Sequence, residues 1–282
     1  MILFKKAADI TAYLLKIKEQ GNGIGFVPTM GALHPGHITL IDASKRRDSI
    51  TVCSIFVNPA QFNDAKDFDN YPATIEKDID ALEKAGCDVL FLPSVSEIYP
   101  DGTANAEKYD LGYLETVLEG KFRPGHFQGV CMVMNRLLNI IPAGRLYLGQ
   151  KDYQQCMVIT KLVELKKFDI DIIICPTLRE PDGLAMSSRN VRLNSSDRKQ
   201  ALQIFETLSF LKTHLREGDL KALKQKAIQH LTDAGFKVDY VEIANAHNLE
   251  IINDWDGHIK TVALVAAFLG EVRLIDNMLL EK

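Results

Sequence analysis

The chain has 282 residues, of which 46% are hydrophobic and 25% charged, with a formal net charge of −4 and a pI near 6.0. This is enough chain for one large or two modest domains with a sizeable core, and the mild acidity argues against a nucleic-acid-binding surface. No signal-peptide pattern opens the sequence, the longest apolar run (262–269) is far short of a membrane span, and five scattered cysteines without a CxxC pair suit a reducing cytoplasm.

In chain order, apolar runs at 24–27, 50–57, 88–92, 145–148 and 170–175 read as strands, separated by helical patterns at 38–46, 74–85, 127–141 and 153–167. Near-continuous apolar strands alternating with helices predict a parallel sheet covered on both faces, over residues 1–176. The stretch 63–69 is polar and reads as a loop, and the basic runs at 45–47 and 166–167 complement helix C-termini. After residue 176 the character changes. A polar stretch, 177–194, leads into helical patterns at 195–217 and 220–234 and strands at 238–243, 261–269 and 272–275. This predicts a smaller α+β domain, 177–282, with the boundary near residues 176–190. No internal repeat or low-complexity tract is present.

In such sheets ligands bind at the carboxyl ends of the strands, and the unusual residues gather there. After the first strand comes Pro28-Thr29-Met30-Gly31-Ala32-Leu33-His34-Pro35-Gly36-His37, a turn into a helix. Unpaired first-turn N–H groups and the helix dipole would make an anion site there, with His34 and His37 as added donors. The same pair is compatible with half a zinc site or with ordinary turn histidines, although no Cys or Glu cluster lies nearby in sequence. Asn58 and Gln61, in Asn58-Pro59-Ala60-Gln61, place two amides where hydroxyl and carboxylate oxygens can be bracketed, or simply mark a turn. Lys121-Phe122-Arg123-Pro124-Gly125-His126-Phe127 is a second basic turn leading into a helix that, alone, reads as a solvated loop. In Gly149-Gln150-Lys151-Asp152-Tyr153-Gln154-Gln155, Lys151 offers charge for phosphate, Asp152 a carboxylate for Mg²⁺, and Gln155 the same helical face. Met186-Ser187-Ser188-Arg189-Asn190 suits a loop closing over a triphosphate, or a Ser–Ser helix cap.

Together these five segments resemble, in order and spacing, the pantothenate synthetase (pantoate–β-alanine ligase) family, over nearly the full chain. One departure is Arg136-Leu137-Leu138-Asn139, where the family often carries Phe before Asn. The resemblance implies a Rossmann-like domain of the His-x-Gly-His nucleotidyltransferase type with a smaller C-terminal domain, usually a cytoplasmic homodimer. It implies ATP-dependent condensation of (R)-pantoate with β-alanine to (R)-pantothenate, AMP and diphosphate, through a pantoyl adenylate, with Mg²⁺. By resemblance, His37, His34 and Lys151 are catalytic. Met30, His34, His37, Gly149, Lys151, Asp152, Leu178, Met186, Ser187, Ser188 and Arg189 contact ATP, while Gln61, Gln155, Asn58 and Arg123 contact substrate. Asp152 is the candidate metal contact, with Asp67 and Asp69 as further acidic candidates, and Val133 and Met134 as an apolar wall for the pantoate methyls. A nucleotidyltransferase acting on a phosphate-bearing acceptor and a non-catalytic nucleotide sensor are the competing expectations.

Overall fold

The structure is a computed structural model that describes residues 1–63, 68, 71–72, 74–103 and 107–280. Asp67 and Asp69, and most of the predicted loop 63–69, lie outside the described residues. The chain forms two compact units, one of residues 1–149 with 155–176, the other of residues 150–154 with 177–282. Residues 150–154, expected in the first domain, therefore group with the second.

Among its described residues the first unit holds a six-stranded sheet: β1 (Ile2–Phe4), β2 (Ile24–Thr29), β3 (Ile50–Ile55), β4 (Val89–Phe91), β5 (Arg145–Gly149) and β6 (Asp171–Cys175). The order is β1-β4-β3-β2-β5-β6 and every pairing is parallel. Alternation along the strands divides the core into two faces. Phe26, Val52, Leu146 and Leu148 pack with Ile10 and Leu14 of the helix Ala7–Glu19 and with the helices His126–Ile140 and Tyr153–Lys166. Val27, Cys53 and Tyr147 point the other way, onto Leu40 and Ile41 of the helix Pro35–Lys45 and Leu82 of the helix Ile75–Lys84. All five cysteines are buried free thiols, and burial pushes Cys87 up to about 11. β1 and the helix Ala7–Glu19 are additions to the predicted elements. β1, Ile2-Leu3-Phe4, is apolar but only three residues long, and it lies largely exposed at the sheet edge, too short to mark a strand by pattern.

The register reveals where the sheet opens. β2 pairs with β3 from Ile24 to Thr29, and β5 with β6 as far as Gly149, yet β2 pairs with β5 only at Gly25 and Phe26. β2 leads to β3 on one side and β5 to β6 on the other, so this gap is the topological switch point. Pro28 sits beyond the last β2–β5 pair, where its missing N–H breaks no ladder on that side.

The second unit carries an antiparallel sheet β11-β10-β8, formed by β8 (Lys237–Asn245), β10 (Thr261–Leu269) and β11 (Val272–Leu279). A short pair, β7 (Gly218–Asp219) with β9 (Asp254–Trp255), stands apart from it. The helices Leu202–His214 and Lys221–Asp233 bury Leu208, Leu211, Ala227 and Leu231 in one core with Val241, Val265 and Ala267. The predicted helix 195–217 is two helices, Ser195–Gln200 and Leu202–His214, and it ends before Gly218, whose φ of 101° no continuing helix adopts.

Gly129 lies where the helix His126–Ile140 touches the turn Pro59–Gln61; a Cβ there would collide with the Ala60 carbonyl and come 2.7 Å from Gln61 Cα. Gly129→Ala should lower stability by about 1–3 kcal/mol in thermal or urea denaturation. Gly144→Ala, with nothing within 4 Å of the added carbon, should stay within about 0.5 kcal/mol of the parent.

Candidate active site

At the carboxyl end of β2 the chain turns sharply through Gly31 (φ 80°) and Ala32 (φ 49°), both left-handed. For alanine that conformation costs on the order of 1 kcal/mol. The buried carboxylate of Asp78 offsets it, accepting the Ala32 N–H at 2.9 Å, the Leu33 N–H at 2.8 Å and the Thr74 hydroxyl at 3.1 Å. Gly31 is needed there as well, since a Cβ would come 3.1 Å from Asp78 and 3.2 Å from Ile55.

The turn delivers His34 to the N-cap of the helix Pro35–Lys45. His34 Nδ1 accepts the Gly36 N–H at 3.1 Å, and His37 Nδ1 accepts the His34 N–H at 3.3 Å, a capping box made of two imidazoles. The rings lie 4.1 Å apart, centre to centre. Because both Nδ1 atoms accept, a neutral ring at either position carries its proton on Nε2.

This changes the expected origin of the anion site. Pro35 has no N–H, Gly36 donates to the His34 ring, and the His37 and Ile38 N–H groups donate to the His34 carbonyl at 2.8 and 3.3 Å. The first-turn amides are thus engaged within the cap. The helix dipole remains, and the two imidazoles stand at its positive end.

Asn58, Gln61 and Met30 come together beside the same strand end. Asn58 is 1% exposed and its amide is spent inside the protein: Oδ1 accepts from Ala60 N–H and Tyr99 Oη, while Nδ2 donates to Gln61 Oε1 and the Gly129 carbonyl. Gln61 Nε2 points to Met30 Sδ at 3.0 Å. The Gln61 carbonyl receives His126 Nδ1 at 2.8 Å, so His126 Nε2 faces Arg123 Nη1 at 3.0 Å. Arg123 also lies 3.6 Å from Glu119. Arg123 and His126 of the basic turn are therefore built into the platform beneath Gln61, while Lys121, Phe122, Pro124 and Gly125 are exposed as a solvated loop would be. Val133 and Met134 are buried in the core of the unit. Gly149 ends β5, and Gln155 is half-buried on the first turn of the helix Tyr153–Lys166.

In the second unit, Lys151 and Asp152 sit on a short 3₁₀ turn, Gln150–Asp152. The Asn277 side chain of β11 holds that turn, donating to the carbonyls of Gln150 (2.9 Å) and Lys151 (2.8 Å) and accepting from the Gln150 amide at 3.2 Å. Its neighbour Asp276 is gripped by both Arg179 guanidinium nitrogens at 2.6 and 3.1 Å; burial pushes the Asp276 carboxyl up, and the guanidinium opposes that shift. Lys151 is half-buried and Asp152 exposed. The Leu178 carbonyl accepts the Met186 N–H at 3.0 Å, and Ser187 caps the turn Ser188–Arg192 by accepting the Arg189 N–H at 3.2 Å. The Ser–Ser pair thus does supply a cap, which leaves Ser188 and Arg189 half-buried on the turn.

Among the described residues no group of three or more His, Cys, Asp and Glu is arranged to hold a metal ion. The half-zinc reading of His34 and His37 thus lacks further ligands there.

A family model described as pantoate-beta-alanine ligase matches residues 2–279. The chain belongs to the pantoate-beta-alanine ligase family. Within that family, the pantothenate synthetase of Azobacteroides pseudotrichonymphae is 44% identical over 280 residues, spanning 99% of either chain. That of Bacteroides fragilis is 42% identical over 274 residues, covering 96% of this chain and 95% of its own. The crystal structure of a Thermus thermophilus pantothenate synthetase matches with a TM-score of 0.88 and 36% identity over 100% of both chains. A Francisella tularensis pantoate-beta-alanine ligase, solved with beta-gamma ATP and beta-alanine, matches at 0.82 and 39%, covering 100% of this chain and 98% of that one.

Asp78, Tyr99 and Asn277 are absent from the sequence-derived site of this family member. Their partners lie 45 and 46, 41, and 126 and 127 residues away in sequence, so no local pattern marks them. Asp78→Asn swaps one acceptor oxygen for a donor facing a main-chain N–H; it should cost about 1–3 kcal/mol, measured as a lowered urea midpoint with an unchanged m-value.

Proposed function

We propose that the chain is an ATP-dependent ligase that condenses pantoate with β-alanine. The observation that carries this reading is the family match over residues 2–279, on a chain whose switch-point turn holds two imidazoles by their Nδ1 atoms. In detail, the (R)-pantoate carboxylate attacks the α-phosphorus of ATP, releasing diphosphate and leaving a pantoyl adenylate. The β-alanine amine then attacks the acyl carbon, giving (R)-pantothenate and AMP.

The first step brings two anions together, so its barrier falls wherever charge on the phosphates is met by fixed donors. His34 and His37 are suited to that through Nε2, because the cap fixes both rings before substrate arrives. His37, donating from Nε2 while Nδ1 stays in the cap, would stabilise the departing diphosphate. Lys151 and Arg189 supply further positive charge, and Ser187 and Ser188 hydroxyls. Backbone groups of Met30, Gly149, Leu178 and Met186 are assigned to the nucleotide. Gln61 and Gln155 are assigned to pantoate, orienting its carboxylate for in-line attack. The engaged amide of Asn58 and the His126-bound guanidinium of Arg123 support a role in building that subsite. Mg²⁺ is proposed as the companion of ATP, since it needs few protein ligands when phosphates supply the oxygens; the exposed Asp152 carboxylate is the residue to hold it, and it would neutralise phosphate charge. No helix among the described residues is long and apolar enough to cross a membrane. We infer a cytoplasmic homodimer, a setting that the five free thiols suit.

Exchange of labelled diphosphate into ATP, with pantoate present and β-alanine absent, tests the adenylate. Pantoate-dependent exchange is expected; no exchange and no AMP even with β-alanine would favour the nucleotidyltransferase or sensor reading. Gln155→Ala should raise the pantoate KM by about tenfold or more, the loss of one to two hydrogen bonds, while leaving the ATP KM near its parent value. Equal changes in both would remove Gln155 from the pantoate subsite.

A further inference from the structure

We propose that Tyr99 is a positioning residue for the pantoate subsite, holding the Asn58 amide in place against Gln61, which thereby presents its NH₂ group, and not its carbonyl, to substrate. The inference rests on the assignment of Gln61 to pantoate made above. The polarity of Asn58 is dictated by main-chain groups that cannot change sign. Its Oδ1 accepts the Ala60 N–H at 3.2 Å and its Nδ2 donates to the Gly129 carbonyl at 3.0 Å. Each atom has one bonding position left. The Tyr99 hydroxyl fills the one on Oδ1, donating at 2.8 Å, and the Gln61 side chain meets Nδ2 at 3.0 Å. Only a carbonyl oxygen can accept there, so Gln61 must offer Oε1 to Asn58.

The consequence falls on the other end of the Gln61 amide. Its Nε2 faces Met30 Sδ at 3.0 Å, a weak acceptor that a hydroxyl or carboxylate oxygen displaces readily. A Gln61 flipped by 180° would set two donors against each other at Asn58 and offer an acceptor to an anionic substrate. Tyr99 is 4% exposed, follows the helix Val95–Ile98, and lies 6.1 Å from the Phe56 ring between centroids. Burial drives its hydroxyl well above the ordinary tyrosine range, so it remains a donor at working pH. Without that hydroxyl, Oδ1 keeps only the 3.2 Å bond to Ala60, and the Asn58 amide is free to tilt away from Gln61.

A double-mutant cycle tests this. Tyr99→Phe keeps the ring and should raise the pantoate KM by about threefold to tenfold, the range of one hydrogen bond, with the ATP KM and the melting temperature little changed. In a Gln61→Ala background the same substitution should add nothing to the pantoate KM, because Tyr99 acts through Gln61. 3-Fluorotyrosine placed at position 99 should restore the parent KM. Equal factors in both backgrounds, or an ATP KM rising in step with that for pantoate as the melting temperature falls, would overturn the proposal and leave Tyr99 a structural residue. If Gln61→Ala alone leaves the pantoate KM unchanged, the assignment of Gln61 itself falls, and this proposal with it. A measurement on the unmodified protein guards against a variant that does not fold: in side-chain NH₂ spectra, pantoate should shift the Gln61 resonances and leave those of Asn58 in place. A shift at Asn58 without one at Gln61 would refute the arrangement.

Discussion

The parting of β2 from β5 governs the rest of the first unit. The two strands pair at Gly25 and Phe26 with Arg145 and Leu146 and then separate, while each continues along its outer neighbour. Two main chains that leave a parallel ladder must satisfy their polar groups otherwise. Pro28 removes one donor at that point, and beyond it the turn 30–33 ends in a helix whose first amides are used within their own cap. The switch point of a sheet is the default ligand site in folds of this type; here its place follows from the register, and its chemistry from the turn.

Around that opening the side chains proposed for the site are held by buried groups from distant elements. Asp78 closes the turn before His34, Asn58 orients Gln61, and His126 fixes the Gln61 main chain. Each is a polar group in a dry setting, costly if one partner is lost and rigid when all are present. Rigidity is what the proposed chemistry requires, because donors that need not reorganise stabilise charge best. The Asp276–Arg179 pair and Asn277 do the equivalent in the second unit, framing the turn that carries Lys151 and Asp152.

Much was legible in the sequence. Strand-like runs between amphipathic stretches gave the parallel sheet, since a strand buried on both faces must be apolar throughout. The His-x-Gly-His turn, the paired amides and the Lys-Asp turn stood at strand ends because that is where such sheets expose backbone. Errors came where the local pattern was weak or the outcome depended on partners. β1 is three apolar residues at the sheet edge, too short a run to mark a strand, and residues 150–154 join the second unit because Asn277, more than a hundred residues later, holds them.

The sequence by itself determined the element types and the residues that bear charge or hydrogen-bonding groups, which follow from composition and short-range periodicity, and the family, which follows from the resemblance of five motifs in order and spacing. Only the tertiary structure decided how those groups are aimed. It spent the helix amides on the cap, turned the histidine rings by their Nδ1 atoms and set the polarity of Gln61 through Asn58, whose own amide is oriented by Ala60 and Gly129. Those outcomes depend on donors and acceptors meeting across dozens of residues, and no local spacing encodes which of them will meet.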